Sequence, residues 1–233
     1  MSNTSHLTPS IIGYYHTTLQ GKFGLPRQSG IAPHLTGKIV FLPKYRDPSA
    51  FRGLDGFSHI WLLWLFSQSE REGEPALTVR PPKLGGNTRM GVFATRSPFR
   101  PTPIGLSSVA LLRIDTNDEN DGVVLYVSGA DLADGTPIID IKPYLPFCDI
   151  HPDAKAGFTT TPPPRLSVHF PPHLSALFSS EDVEALIEIL SEDPRPGYHH
   201  DPTRTYAITY GGYDIHFKVD GETLIVTELV PLS

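Results

Sequence analysis

The sequence predicts a mainly β fold, a β-barrel followed by a small α+β unit, and three observations support it. Short runs rich in Val, Ile, Phe, Tyr and Trp fill the first two thirds of the chain, separated by Gly, Pro and Asp turns. No helical periodicity alternates regularly with them, which argues against a doubly wound parallel sheet. An amphipathic helix and tight-turn signals appear only in the last third. Many short strands avoid exposed edges by closing into a barrel or nearly so.

In chain order, the strand-like runs are residues 11–18, 38–42, 59–66, 92–95, 106–114, 123–128 and 137–141. The run from Ile60 to Phe66 is apolar on both faces, which suits a central strand buried on both sides, although periodicity alone does not exclude a buried helix. Composition shifts after Asp149, and residues 151–164, with TTTPPP inside them, read as a linker. This divides the chain into a barrel over 1–150 and an α+β unit over 165–233. The helix starts at an N-cap, Ser179 or Ser180, with Glu181 and Asp182 favouring its first turn. Val183, Leu186, Ile187 and Leu190 form its apolar stripe, and Pro194 ends it. Strands over 206–210, 215–219 and 223–229 follow, joined at Gly211-Gly212 and Asp220-Gly221.

Proline is abundant, with 24 among 233 residues, about twice the usual share. It lies within patterned segments, so it shapes loops rather than marking disorder. The lone Cys148 rules out an intramolecular disulfide and fits a reducing compartment, and in PYLPFCD it reads as a small packed side chain. Nothing in the sequence resembles a signal peptide or a membrane span, so a cytoplasmic protein without membrane contact is expected. A net charge of −6 argues against a general nucleic-acid binder. However, Arg80, Lys83, Arg89, Arg96, Arg100 and Arg113 fall in a stretch between Glu74 and Asp115 that has no acids, so one face can still dock a phosphate backbone.

The segment GVFATRSPFRPTPIG, residues 91–105, is the most informative in the chain. Pro98, Pro101 and Pro103 push Ser97, Arg100 and Thr102 toward extended conformations. Arg96 and Arg100 on such a stiff loop can hold a carboxylate or phosphate at small entropic cost. Composition alone is equally consistent with a rigid surface turn carrying solvated arginines. Pro26-Arg27-Gln28, Ser58-His59 and Asp134-Gly135-Thr136-Pro137, beside Asp140 and Lys142, are further polar loop segments. These loops can converge at one end of a barrel, where small-molecule sites are common. There is no G-x-G-x-x-G, no P-loop and no G-x-S-x-G elbow, and the ten histidines lack zinc-site spacing, so no metal is expected. His199-His200 reads as a solvated loop.

PRQSG, DGFSHIWLLWLF, VRPPKLGGNTRMGVFATRSPFRPTPIG, DGTPIIDIKPYLPFCD and DPRPGY together resemble the TrmO family of TsaA-like β-barrel tRNA methyltransferases. The resemblance covers nearly the whole chain. It implies an S-adenosylmethionine-dependent homodimer acting on tRNA, on N6-threonylcarbamoyladenosine just 3′ of the anticodon, to give the N6-methyl derivative. By motif, it implies cofactor contacts at Pro26, Arg27, Gln28, His59, Ile60, Arg96, Leu106, Asp134, Gly135, Thr136 and Pro137. The family loop usually reads RPNPIG, and Thr102 here replaces the amide with a hydroxyl.

The chemistry of these residues suits that ligand. Arg27 or Arg96 can hold the carboxylate of the cofactor or that of the substrate threonine. Asp134 suits the ammonium or the ribose hydroxyls, and the DGTP backbone suits the adenine edge. The accepting nitrogen needs a proton acceptor, for which Asp140 and Tyr144 are the candidates. Arg100, Lys142, Arg195 and Tyr198 are candidates for RNA contact. A splayed base can stack on Tyr144 or Tyr198, and Phe147 is expected to pack. A non-catalytic RNA- or nucleotide-binding module and a small-molecule methyltransferase remain alternatives.

Overall fold

Strand β4 (His59–Leu65) shows why the N-terminal part of the chain closes on itself. Its side chains alternate: Ile60, Leu62 and Trp64 point inward and are buried, while Trp61, Leu63 and Leu65 are half-buried outside. In this computed structural model, which describes residues 9–21, 23–67, 77–81, 87–195 and 201–232, six strands form a closed barrel. They are β1 (Gly13–Thr17), β3 (Thr36–Phe41), β8 (Gly122–Ser128), β7 (Ile104–Asp118), β4 and β9 (Thr136–Pro143), in that order, and β9 returns to β1. Every pairing is antiparallel. Tyr15, Ile39, Ile60, Leu62, Val109, Leu125, Val127 and Ile138 fill the interior. Each such burial contributes about 1.5–3 kcal/mol relative to exposure. The Trp64 ring lies across Gly105, where a Cβ would come within 2.2 Å of the indole.

The β3–β4 connection holds three 3-10 turns, Pro43–Tyr45, Pro48–Phe51 and Leu54–Gly56, which cap one barrel mouth with Phe51 edge-on to Phe41. The segment expected as a strand over 92–95 is instead a 3-10 turn, Val92–Ala94. Thr95 closes it by donating both its amide (3.1 Å) and its hydroxyl (2.8 Å) to the Val92 carbonyl. Just before it, β5 (Thr78–Val79) and β6 (Met90–Gly91) form a two-stranded ladder.

A second sheet has the order β10-β13-β12-β11-β2, formed by β10 (Ser167–His169), β13 (Thr223–Pro231), β12 (Tyr213–Asp220), β11 (Tyr206–Tyr210) and β2 (Leu19–Gln20). After two short helices, α1 (Pro146–Asp149) and α2 (Pro172–Ser175), helix α3 (Ser180–Ser191) packs on it, with Ser179 as N-cap accepting from the Asp182 amide at 3.1 Å. The buried stripe of α3 is Ala185, Leu186, Ile189 and Leu190. Ile187, expected in that stripe, is exposed, because the sheet lies one residue further round the helix. Gly211 and Gly212, both at positive φ, form the β11–β12 turn as expected. The next turn falls on Gly221-Glu222, one residue beyond the expected pair, because Asp220 still pairs with Thr223. Leu19, Ala32 and Leu35 lie in this second core, so a cut at residue 150 does not separate the two cores. The 151–164 connection contains only a 3-10 turn, Gly157–Thr159.

Candidate active site

Three loops meet at the barrel mouth formed by the C-terminal end of β4: residues 24–35, 95–103 and 129–135. Backbone hydrogen bonds fix them to one another, Gly30 N–H to Gly129 O at 2.8 Å and Gly129 N–H to Leu35 O at 2.9 Å. The Phe66 amide donates to Pro103 O at 2.9 Å and ties the arginine-bearing loop to the end of β4. That loop is locked from within: Ser97 N–H reaches Thr95 Oγ1, Phe99 N–H reaches Ser97 Oγ, and Arg100 N–H reaches Pro98 O at 2.9 Å. Proline and these side-chain turns together hold the loop in one non-helical shape.

Charged groups of both signs gather at this mouth. The Arg96 guanidinium donates to Gln28 Oε1, and the Gln28 amide donates to Arg27 O. The Asp134 carboxylate, 42% exposed, accepts from the Thr17 amide at 3.1 Å and faces His16 Nδ1 at 3.2 Å. Gly135, at φ +75°, gives the DGTP turn its left-handed step and donates to Tyr15 O at 2.8 Å. Thr136 donates its amide (3.2 Å) and hydroxyl (2.7 Å) to Ala133 O. The amides of this turn therefore serve the fold, and its Asp134 carboxylate is the group presented outward. Pro26, Thr136 and Pro137 are buried and shape the wall.

Beneath the mouth lies a group the sequence did not single out. Ser107 donates to Asp131 Oδ1 at 2.5 Å and accepts from the Trp64 indole at 2.9 Å. The Ser29 amide also donates to Asp131, and Arg96 acts on it electrostatically. Burial pushes the Asp131 carboxyl above its usual range, against these contacts. The one sequence signal was strand alternation, which puts Ser107 between inward-facing Gly105 and Val109.

The other predicted residues fall on the outer face of β7-β4-β9. His59, Trp61 and Leu63 point outward from β4, opposite Ala110, Ser108 and Leu106. Leu106 is 56% exposed. Asp140 pairs in register with Leu63, and Lys142 with Trp61. Tyr144 packs against Trp61 with ring centroids 5.4 Å apart, and the Trp61 indole donates to Asp149 at 2.9 Å. His59 stands at the far end of β4, six residues from Leu65 or roughly 20 Å. Ile60 is wholly buried inside the barrel, so neither it nor His59 joins the mouth within one chain. Asp140 is four residues along β9 from Thr136, roughly 13 Å away.

The cations expected to meet RNA are mostly engaged. Arg100 donates to Thr95 O at 3.2 Å, and Lys142 pairs with Asp140 at 2.8 Å. Arg195, only 11% exposed, is held by both oxygens of Asp193, at 2.7 and 2.9 Å. Arg27 reaches the Asp193 carbonyl at 3.4 Å, which brings the second unit against this mouth. Tyr198 and His199-His200 lie outside the described residues. Phe147, expected to pack, is 85% exposed. Cys148 is exposed rather than packed, and desolvation and Asp149 raise its thiol, so it is not an activated nucleophile.

Residues 14–150 match the model of the tRNA-methyltransferase O N-terminal domain, and residues 163–232 match that of the TrmO C-terminal domain. The chain belongs to the tRNA-methyltransferase O family. An Escherichia coli K12 member, a tRNA (adenine(37)-N6)-methyltransferase, is 38% identical over 94% of this chain and 96% of its own length. A Pseudomonas aeruginosa member, described as a candidate S-adenosylmethionine-dependent methyltransferase, is 40% identical over 93% of this chain and 94% of its own. A crystal structure of TrmO from Pseudomonas aeruginosa superposes with a TM-score of 0.78 at 30% identity, covering 99% of both chains. The barrel-plus-sheet architecture is therefore the TrmO architecture.

Proposed function

We propose that this chain methylates N6 of threonylcarbamoyladenosine at position 37 of tRNA, next to the anticodon, giving N6-methyl-N6-threonylcarbamoyladenosine. At the coarser level it is an S-adenosylmethionine-dependent tRNA (adenine(37)-N6)-methyltransferase, the activity of its family. The observation that supports the finer statement most is the mouth itself. It gathers cations (Arg27, Arg96) and carboxylates (Asp131, Asp134) on loops held by their own hydrogen bonds. One cation suits the cofactor's carboxylate, and the other is left for the carboxylate of a threonylcarbamoyl group.

S-adenosylmethionine, when bound, supplies an electrophilic methyl group on a sulfonium. Arg96, oriented by Gln28, holds a carboxylate, and Asp134 takes an ammonium or hydroxyl. The enzyme's main contribution is to align the accepting nitrogen in line with that methyl. Asp140 and Tyr144 remain the proposed proton acceptors, and both stand on the outer face, away from the mouth of their own barrel.

That face also suits a second copy of the chain. Trp61, Leu63 and Leu106 form an apolar stripe flanked by Phe147 and Ile150, which are themselves exposed. In the proposed homodimer it would seat one protomer's Asp140 and Tyr144 beside its partner's mouth. The lone cysteine and a tRNA substrate fit a cytoplasmic location. Nucleoside mass spectrometry of tRNA from a strain lacking the gene tests the function. The methylated threonylcarbamoyladenosine peak should vanish, and an undiminished peak would sink the proposal.

A further inference from the structure

We propose that Asp131 is a positioning residue of the cofactor mouth, whose carboxylate sets Arg96 and the Gln28-Ser29 turn in the orientation that receives the ligand. This rests on the mouth being the cofactor site. One carboxylate here links the barrel interior to the loops at the mouth. Toward the barrel interior it accepts the Ser107 hydroxyl at 2.5 Å, and that hydroxyl accepts the Trp64 indole at 2.9 Å. Trp64 is in turn fixed by its close approach to Gly105, so the anchor is rigid. Toward the surface the same carboxylate accepts the Ser29 amide and lies in the field of Arg96. Arg96 in turn grips Gln28, the neighbour of Ser29.

The loops at 24–35 and 95–103 thus meet over a single negative charge held from below. Burial raises the Asp131 carboxyl, and the Ser107 hydroxyl, the Ser29 amide and the field of Arg96 act against that rise. The charge pays off at the mouth, because a guanidinium fixed in place loses less entropy on binding an anion than a free one. Asp131 sits among Asp134, Tyr15 and Arg96, of which only Arg96 is cationic, so removing it leaves Arg96 without its oriented counter-charge.

A double-mutant cycle on the full-length protein tests this, using S-adenosylhomocysteine as the calorimetric probe with thermal melting alongside. Asp131→Asn should weaken binding by roughly tenfold, the scale of one charge-assisted contact. In an Arg96→Ala background the same change should weaken it by less than about twofold, because the two residues act as a unit. In turnover the loss should appear in KM for S-adenosylmethionine with kcat nearly constant, which a merely structural role would not produce. Ser107→Ala keeps the charge but removes its anchor and should show the same non-additivity with Arg96→Ala, so the cycle stands even if Asp131→Asn fails to fold. Additive losses in either pair, or a lower melting temperature with unchanged affinity, would overturn the proposal. If Arg96→Ala itself binds the probe unchanged, the mouth is not the cofactor site, and the proposal falls together with the reading it rests on.

Discussion

Arg96 and Gly105 illustrate how single residues act at the mouth. Arg96 is exposed and bonded through Gln28, so Arg96→Ala should leave the fold intact and weaken S-adenosylmethionine binding by about 1.5–3 kcal/mol, measurable by calorimetry. Gly105→Ala should behave in the opposite way. Its Cβ would meet the Trp64 indole at 2.2 Å, so overpacking should cost about 1–3 kcal/mol in chemical denaturation. The arginine was legible from sequence because its proline-bound loop is a local pattern. Asp131 was not, since an Asp between strands carries no local mark of burial, and only the inward alternation of Ser107 hinted at a partner. Nor does the sequence display the bidentate contact of Arg195 with Asp193, a residue at φ +53°.

At the level of elements, the contact between the 24–35 loop and α3 predicts a pH response. His34 sits between Glu188, at 2.6 Å, and Glu184, at 3.1 Å, and its amide also donates to Glu188. The Glu188 hydrogen bond, then its charge, hold the His34 imidazole above its ordinary value of 6.5. A raised folded pKa stabilises fully below the unfolded value, and that contribution is lost as pH rises through the folded one. Melting temperature should therefore fall as pH rises above about 6.5, and His34→Gln should flatten that slope. An unchanged slope in the variant would leave the His34 contact without thermodynamic weight. Most barrel strands were legible because inward residues alternate along them, as in β4. The 92–95 segment misled because Val and Phe favour strands while the Thr95 side chain closes a 3-10 turn that propensity does not register. The α3 stripe was off because Ala185 and Ile189 carry its packing in place of Ile187, and an alanine is easily passed over in a hydrophobic pattern.

For the whole molecule, the predicted residues divide between the mouth of the barrel and its outer sheet face, a split that motif position could not reveal. Residues near in sequence, such as Asp134 and Asp140, separate because Asp134 lies in the mouth loop before β9 while Asp140 lies along the strand, opposite the outward Leu63. The proposed homodimer, with one protomer's outer face against its partner's mouth, would reunite them. Leu63→Glu should then yield a monomer by sedimentation and lose transfer activity while keeping its melting temperature within a few degrees. A dimer that survives this change would place the interface elsewhere. Methyl transfer in vitro tests the proposed substrate directly. Purified protein and S-adenosylmethionine are incubated with two tRNA pools, one carrying threonylcarbamoyladenosine at position 37 and one carrying plain adenosine there. Nucleoside mass spectrometry should find N6-methyl-N6-threonylcarbamoyladenosine from the first pool and no methylated adenosine from the second. Equal transfer to both pools, or none to the first, would contradict it.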